Sequence, residues 1–314
     1  MSVRLLMAAR LQADAWPVPG VRELTLVPVH REAFPSFVAG DHVQIQHRNG
    51  TRRDYSLIGP VGDSSAYRIA VRRDEDGRGG SVLFHDDLAI GDTLFVSYPQ
   101  AGMRIDPTAS HHVFVAGGIG VTAILGLLGG LPPGASSEIR YCVRRREHAA
   151  YLDVLEGTGA DVVVHESSAG DRLDPHKLAA ELTGDTTLYY CGPEGLMAEM
   201  AQATTHLEPG RVRCESFTAR ASASGDKLGD AFDTWLVLSR RAIHVGADES
   251  LVQAMVREGV PVDYSCEGGA CGTCVLDVVD GDIQHRDLCL TDDERARSMA
   301  ACVSRGKGAV SVLA

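Results

Sequence analysis

The sequence predicts a multidomain fold: an antiparallel β-barrel, then a doubly wound α/β domain, then a small C-terminal metal-binding module. Short alternating strands fill the first third of the 314 residues, and strand, glycine turn and helix units fill the middle. Five of the eight cysteines lie in the last fifth. We place the domains at residues 1–104, 105–222 and 223–314.

Composition narrows the class of protein. Hydrophobic residues make up 44% of the chain and charged residues 23%, enough apolar material for a core in each domain. No apolar run approaches the ~20 residues of a membrane span, and the N-terminus lacks a signal-peptide core, so we expect a cytoplasmic protein without membrane contact. The net charge of −12 disfavours nucleic acid and anionic membranes and favours a basic protein partner.

The elements follow in order along the chain. Barrel strands are predicted in VRELTLVPV, HVQIQHR, YRIAVRR and TLFVSYP. The parallel sheet is predicted from HVFVAGGIG, EIRYCVRR, ADVVVHE and TTLYYCGP, with helices in VTAILGLLGGL, EHAAYLDVLEGT and EGLMAEMAQATTHL. TARASASGDKLGD is typical of a linker. A hairpin in FDTWLVLSRRAIHV and a helix in ESLVQAMVREG, capped at Gly259, complete the prediction.

The C-terminal cysteines have a diagnostic spacing. Cys266, Cys271 and Cys274 form C-x4-C-x2-C, and Cys302 follows much later, the arrangement of plant-type [2Fe–2S] sites. A zinc site with four cysteine ligands remains an alternative, although zinc sites usually bring paired C-x2-C knuckles. Reduced structural thiols are a second alternative. Cys289 is expected to be a small buried residue rather than a ligand.

Glycines within this loop have a physical role. Gly268, Gly269 and Gly272 allow the backbone to curl tightly, so that its N–H groups can point at the cluster sulfurs. The spacing therefore predicts metal ligands at Cys266, Cys271, Cys274 and Cys302.

Two strand ends indicate a nucleotide site. Gly117 and Gly118 lie in a turn between a strand and a helix, where N–H groups favour pyrophosphate; the turn is not the G-x-G-x-x-G fingerprint. Cys191, Gly192 and Pro193 end a second parallel strand. Ligands of open α/β sheets bind outside the carboxyl ends of strands, so both turns are expected at one site.

A basic strand in the first domain suits a flavin. Arg53, Tyr55 and Ser56 offer a cation for phosphate, an aromatic ring for stacking and a hydroxyl for a ring nitrogen. Further on, GRGGS at Gly77 to Ser81 precedes a short helix and suits a phosphate. Each motif alone is compatible with a solvated turn. Their combination favours a flavin.

The ordered set of motifs resembles the phthalate dioxygenase reductase family, which includes vanillate O-demethylase reductases: reductase components of two-component Rieske oxygenases. The resemblance spans nearly the whole chain. Its carriers are RDYSL, GRGGS, AGGIGVT, YCGPEGLM, ESF at Glu215 to Phe217, and CEGGACGTC with Cys302.

The resemblance implies a flavin barrel, a nicotinamide domain and a C-terminal β-grasp ferredoxin. It implies FMN, with Ser56 and Phe217 next to the reacting ring as catalytic residues. The remaining implied cofactor residues are Arg53 and Tyr55 at the ring and ribityl chain, Gly79, Gly80 and Ser81 at the phosphate, and Gly117, Gly118, Thr122, Cys191, Gly192 and Pro193 at the dinucleotide. NADH is the expected donor. Arg144, Arg145 and Arg146 leave NADPH possible, since they follow the second parallel strand.

The expected function is electron transfer from NAD(P)H through FMN and [2Fe–2S] to a terminal Rieske oxygenase. From Ala223 onward 15 acidic and 9 basic residues give a net −6 over 92 residues, against −6 over the preceding 222, so the oxygenase is expected to dock on the acidic ferredoxin domain. Two alternatives remain open: a freestanding reductase for another one-electron acceptor, and a non-catalytic redox sensor.

Overall fold

The computed structural model describes residues 6–48, 52–75, 77, 79–208, 210–217, 228–264, 269, 272–287, 289–290 and 292–314. The chain divides into two compact units, Arg4–Glu215 and a unit that contains Ser216–Ala314. Each unit has its own apolar cores. No helix in the described part of the chain is long and apolar enough to cross a membrane.

The first domain is a six-stranded antiparallel sheet of order β4-β3-β6-β1-β2-β5. Its end strands β4 and β5 also contact each other, so the sheet curls around one core. Leu24 and Leu26 are fully buried at alternating positions, as period-2 patterning requires. The elements are β1 Leu6–Val18, β2 Val21–Pro28, β3 His42–Gln46, β4 Arg52–Ser56, β5 Tyr67–Arg72, α1 Gly80–Asp86 and β6 Thr93–Ser97.

The sequence prediction missed β1. This strand pairs with both β2 and β6, and Ala9 and Leu11 are fully buried. Its pairing with β2 shifts register between Leu11 and Ala13, so a β-bulge interrupts the alternation by which a strand is recognised.

The second domain is a five-stranded parallel sheet of order β11-β10-β7-β8-β9, which confirms the doubly wound prediction. Its elements are β7 His111–Gly117, α2 Val121–Leu128, β8 Ser136–Val143, α3 Leu152–Glu156, β9 Asp161–Glu166, α4 Pro175–Glu181, β10 Thr186–Cys191, α5 Glu194–Ala203 and β11 Val212–Glu215. The helix predicted in EHAAYLDVLEGT shortens to α3. Tyr151, just before it, has a left-handed backbone (φ 61°) and donates a 2.9 Å hydrogen bond to Glu23 of the barrel.

The second unit contains a five-stranded sheet of order β13-β12-β18-β14-β16 and a short ladder of β15 with β17. The predicted hairpin is confirmed as β12 and β13, and the predicted helix as α6. Ser250 and Gln253 form a capping box at the start of α6, and Gly259 follows it with φ 69°. The elements are β12 Phe232–Leu236, β13 Arg241–Val245, α6 Leu251–Arg257, β14 Val275–Asp280, β15 Ile283–Gln284, α7 Asp292–Arg295, β16 Ser298–Ala300, β17 Arg305–Gly306 and β18 Val310–Val312.

Candidate functional site

A cleft of about 610 Å³ opens at the carboxyl ends of the parallel strands. β7 ends at Gly117, a 3₁₀ turn spans Gly118–Gly120, and α2 begins at Val121. The two predicted turns meet here: a Cβ on Gly117 would lie 2.6 Å from Cδ of Pro193. Gly118 has φ 52°, a conformation that favours glycine. The glycines therefore allow the two turns to approach as closely as a dinucleotide site requires.

The cleft contains some of the predicted nucleotide residues and not others. Gly117, Gly118, Arg144 and Pro193 line it. Thr122, Cys191 and Gly192 are buried and do not appear among its lining residues. The Thr122 hydroxyl donates a 3.0 Å hydrogen bond to the Ile119 carbonyl, and burial raises the pKa of the Cys191 thiol well above its usual value. Thr122, Cys191 and Gly192 therefore support the two turns from the protein interior.

The side chains of Arg144, Arg145 and Arg146 have different surroundings in the structure. Arg145 pairs with Glu147 at 3.2 Å, and Arg146 pairs with Glu156 at 3.1 Å. The Arg144 side chain has no ion pair within the described ranges, and it alone of the three lines the cleft. Arg144 is therefore the cation of this triplet that is available to a phosphate.

Sequence reasoning missed several lining residues. Arg72 and Arg73 reach the cleft from the end of β5, and Arg172 reaches it from the loop before α4. Hydrogen bonds from Arg73 to Asp86 and Glu75 raise the pKa of its guanidinium. The sequence signal for Arg72 and Arg73 is their position at the end of the predicted strand YRIAVRR, shortly before the GRGGS turn that is predicted to bind flavin phosphate. The cleft of this acidic protein is thus rich in cations, as an anionic dinucleotide requires.

The predicted flavin residues of the barrel lie on two adjoining segments. β4 carries Arg53, Tyr55 and Ser56, and α1 begins at Gly80. A Cβ on Gly80 would lie 2.6 Å from Nε of Arg53, so the arginine rests against the start of α1. Gly79 precedes the helix with φ 75°, a backbone that favours glycine. The structure therefore brings the arginine and the glycine turn together.

The other polar residues of the predicted flavin site, Tyr55, Ser81 and Ser56, have different environments and partners. The Tyr55 ring packs edge-on against Phe84, with centroids 5.5 Å apart, and burial raises the pKa of its hydroxyl. The Ser81 hydroxyl accepts a 3.0 Å hydrogen bond from the Asp74 amide. Oγ of Ser56 is buried, and no residue of the described structure hydrogen-bonds to it. Buried polar atoms in proteins are nearly always paired, so an outside partner fits Ser56, and a flavin can supply it.

Phe217 belongs to the second unit, where its side chain is 40% exposed. It follows β11 by two residues in the chain. Stacking of its ring on the flavin stays a prediction.

Two of the four predicted metal ligands, Cys266 and Cys271, lie outside the described residues. Cys274 and Cys302 are buried in one apolar core, and the Ala301 amide donates a 3.1 Å hydrogen bond to the Cys274 carbonyl. The described residues hold no complete group of metal ligands by themselves.

The rest of the cysteine segment also suits a cluster. Gly269 and Gly272 have φ of 75° and 73°, the left-handed backbone expected of a tightly curled loop. Gly268 is outside the described residues. Cys289 is partly buried against the same core, in agreement with a structural thiol. A donor set of thiolates on glycine turns fits [2Fe–2S].

The fold and the sites define a class: an NAD(P)H oxidoreductase with a flavin domain, a nucleotide domain and an iron–sulfur domain. Residues 238–307 match the family model of the 2Fe-2S iron-sulfur cluster binding domain, which confirms the predicted C-terminal module. Residues 97–209 match the N-terminal domain of dimethylamine monooxygenase subunit DmmA-like proteins.

Whole-chain relatives narrow this class. The chain is 35% identical to the phthalate 4,5-dioxygenase oxygenase reductase subunit of Pseudomonas putida, over 89% of this chain and 88% of that one. It is 37% identical to the heme-dependent oxidative N-demethylase beta subunit of Ectopseudomonas mendocina, over 94% and 97%. The solved structure of phthalate dioxygenase reductase, described as a modular structure for electron transfer from pyridine nucleotides to [2Fe-2S], matches with a TM-score of 0.70 at 30% identity, over 98% of both chains.

The chain therefore belongs to the phthalate dioxygenase reductase family, as the motifs predicted. It is an oxidoreductase of that family, and the predicted FMN, [2Fe–2S] and nicotinamide cofactors are confirmed at this level. The positions of the individual site residues remain predictions.

Proposed function

We propose that this chain is the reductase component of a two-component Rieske-type oxygenase or demethylase. Electrons enter from NADH at the cleft and leave from the iron–sulfur domain to the oxygenase. The observation that carries the proposal is the cleft between the two glycine turns. The same chain also has two buried cysteines, Cys274 and Cys302, in a ferredoxin-type domain. The names of the oxygenase reductase relatives support the acceptor class.

Each group of predicted site residues has its own role in binding the dinucleotide or the flavin. Bound FMN accepts a hydride from the nicotinamide and releases its electrons one at a time. Arg144 and Arg172 neutralise the dinucleotide phosphates, while Gly117 and Gly118 admit them closely. Arg53 and the Gly79–Gly80 turn hold the flavin phosphate. Ser56 orients the flavin ring.

A surface on the second unit suits an oxygenase. The outer sheet face, as we call it, is the side of the sheet away from the apolar core. Trp235 of β12 lies on this face, opposite Ala242 of β13 and Ser311 of β18, and is 45% exposed. Val279 on β14 is 56% exposed. Interface hot spots are enriched in such tryptophans.

The outer sheet face is acidic. Asp233, Asp277 and Asp280 lie on it, and all three are exposed. The module from Ala223 onward has a net charge of −6. A second copy of this chain would be repelled by the same charge, so the surface favours a basic partner. We therefore propose that the oxygenase docks here through a basic patch with an apolar centre.

Cytochrome c, a basic one-electron acceptor, is a practical probe for this surface. Trp235→Ala should raise the KM for cytochrome c about fivefold, the ratio for ~1 kcal/mol, while the KM for NADH stays constant. Val256→Ala, which alters another exposed apolar residue of the module, is the control. The parent rate should fall as salt rises. An unchanged KM together with a salt-insensitive rate would contradict the docking surface.

The electron path itself is tested by the visible spectrum before and after anaerobic addition of NADH. Flavin bands and a broad [2Fe–2S] shoulder should both bleach, and the flavin released by heat should be FMN. Rapid NADH-driven reduction of a dye would exclude a non-catalytic sensor. A colourless protein that takes up neither iron nor flavin would refute the proposed function.

A haem-containing acceptor is the second candidate. The similarity to the heme-dependent oxidative N-demethylase beta subunit favours it. Parallel reduction assays with a purified Rieske oxygenase and a purified haem N-demethylase subunit separate the candidates. The faster reduction at equal concentration identifies the acceptor class.

We also propose the domain boundaries 1–104, 105–222 and 223–314. Support comes from the last barrel strand, which ends at Ser97, the first parallel strand, which begins at His111, and β12, which begins at Phe232. Because the sequence predicts a linker in TARASASGDKLGD, limited proteolysis should cut first there. A cytoplasmic location is proposed because NADH and reduced thiols are found together there.

A further inference from the structure

A buried carboxylate lies beside the cysteine segment and has no part in the function proposed so far. Asp287 follows β15, and its side chain is 0% exposed. Burying a charge costs free energy unless hydrogen bonds and an opposite charge compensate for it. Its partners therefore show which segments this charge holds together.

Four groups lie within hydrogen-bonding or ion-pair distance of the carboxylate. The Ser304 hydroxyl donates to Oδ1 at 3.2 Å, and the Leu290 amide donates to Oδ2 at 3.1 Å. The Arg295 guanidinium lies 3.5 Å from Oδ2 and donates to the Asp287 carbonyl at 2.8 Å. The His285 ring lies 3.4 Å from Oδ1.

Two contacts connect Asp287 to the sequence segments that carry the predicted cluster ligands. Ser304 is two residues after Cys302. Gly269 belongs to the loop that carries the other three ligand cysteines, and a Cβ there would lie 3.0 Å from Cα of Asp287 and 2.6 Å from Cγ2 of Val303. Gly269 thus packs directly on Asp287 and on Val303, the residue after Cys302. Asp287 therefore contacts Gly269 and Ser304, which come from the two sequence segments that carry the predicted ligands.

We propose that Asp287 is a positioning residue of the iron–sulfur site: it fixes the Cys302 segment against Gly269 and lowers the reduction potential of the cluster. This inference rests on the proposed function, because it presumes the cluster. Asp287 acts through Ser304, Leu290 and its charge, and it is not a metal ligand. A fixed negative charge near a cluster disfavours the added electron, and burial limits the screening of that charge by water.

Asp287→Asn keeps the shape of the side chain and removes its charge. We expect the cluster midpoint potential to rise on the order of 59 mV, a tenfold change in the one-electron equilibrium, with an altered visible circular dichroism spectrum. Asp282→Asn removes the same charge from an exposed position of the same module and should leave both values unchanged. Iron content and the potential are measured by chemical assay and redox titration, without turnover.

The outcomes separate this inference from the proposed function. A parent protein without iron refutes the proposed function. A parent with iron, and an Asp287→Asn protein with the parent potential, overturns the role of Asp287 alone. If Asp287→Asn holds no iron, Ser304→Ala decides, since it keeps the charge and removes one bond. Faster iron loss to a chelator in Ser304→Ala supports positioning, and the parent rate overturns it.

Discussion

At the level of single residues, the nucleotide cleft depends on glycines, which have no side chain to fill the space between neighbouring elements. Gly120 has an ordinary right-handed backbone (φ −58°), so other residues could adopt its conformation. Its Cβ, however, would collide with the Cys191 carbonyl at the end of β10. Glycine is therefore required there for the space between α2 and β10 and not for backbone freedom.

Gly120→Ala should separate the two turns of the cleft. We expect the free energy of unfolding to fall by about 1–3 kcal/mol, the usual cost of overpacking, and the KM for NADH to rise. Urea denaturation and steady-state kinetics measure the two effects. Gly184→Ala is the control, because a Cβ there meets nothing within 4 Å. Equal effects of the two substitutions would contradict this account.

Sequence patterns located the cleft but not the direction of each side chain. The strand and glycine turn pointed to Gly117 and Gly118, which line the cleft, because backbone approach depends on local sequence. Thr122 and Cys191 turn into the protein instead, and Arg172 enters from a distant loop. Such orientations depend on packing between elements, which one segment of sequence does not encode.

At the level of elements, β4 separates two neighbouring arginines. Arg52 is exposed and donates to Gln46 at 3.1 Å, whereas Arg53 rests against the start of α1. Alternate residues of a strand point to opposite faces, so only Arg53 faces the predicted phosphate. Arg52 is therefore a matched control for Arg53 on the same strand.

Arg53→Met should weaken FMN binding about 10- to 150-fold, the range for a lost hydrogen bond to a charged group of ~1.5–3 kcal/mol. Arg52→Met should leave the dissociation constant within about twofold, since its partner is a surface glutamine. Titration of the flavin-free protein with FMN, followed by flavin fluorescence, gives both constants. Similar losses in the two variants would place the phosphate elsewhere.

The elements themselves were predictable where their local signals were complete. α6 combines a capping box with a C-terminal glycine, and β7 and β10 are buried almost throughout, so these elements were predictable. β1 was missed because of its bulge, and α3 was overextended because Tyr151 contacts another domain. In both cases tertiary structure overrode a local preference.

At the level of the whole molecule, the two units have separate cores. The core that contains Cys274 and Cys302 is formed entirely by residues of the second unit, whereas the flavin and nucleotide residues other than Phe217 belong to the first. Hydride entry and single-electron exit therefore depend on independently packed parts. Damage to one part should leave the chemistry of the other largely intact.

Cys302→Ser tests this separation. Cys302 is 6% exposed within the second core, and a serine there binds iron poorly, so the protein should lose its iron. NADH-driven reduction of ferricyanide, a small acceptor that can take electrons from flavin, should stay within about twofold of the parent. Reduction of cytochrome c should fall at least about tenfold, because the exit path is lost. Cys289→Ser, which alters the cysteine predicted not to be a ligand, should keep both iron and activity. Two outcomes together would contradict this account. If Cys302→Ser retained its iron, Cys302 would not be a ligand. If the same protein also lost both activities, the two units would be coupled in folding.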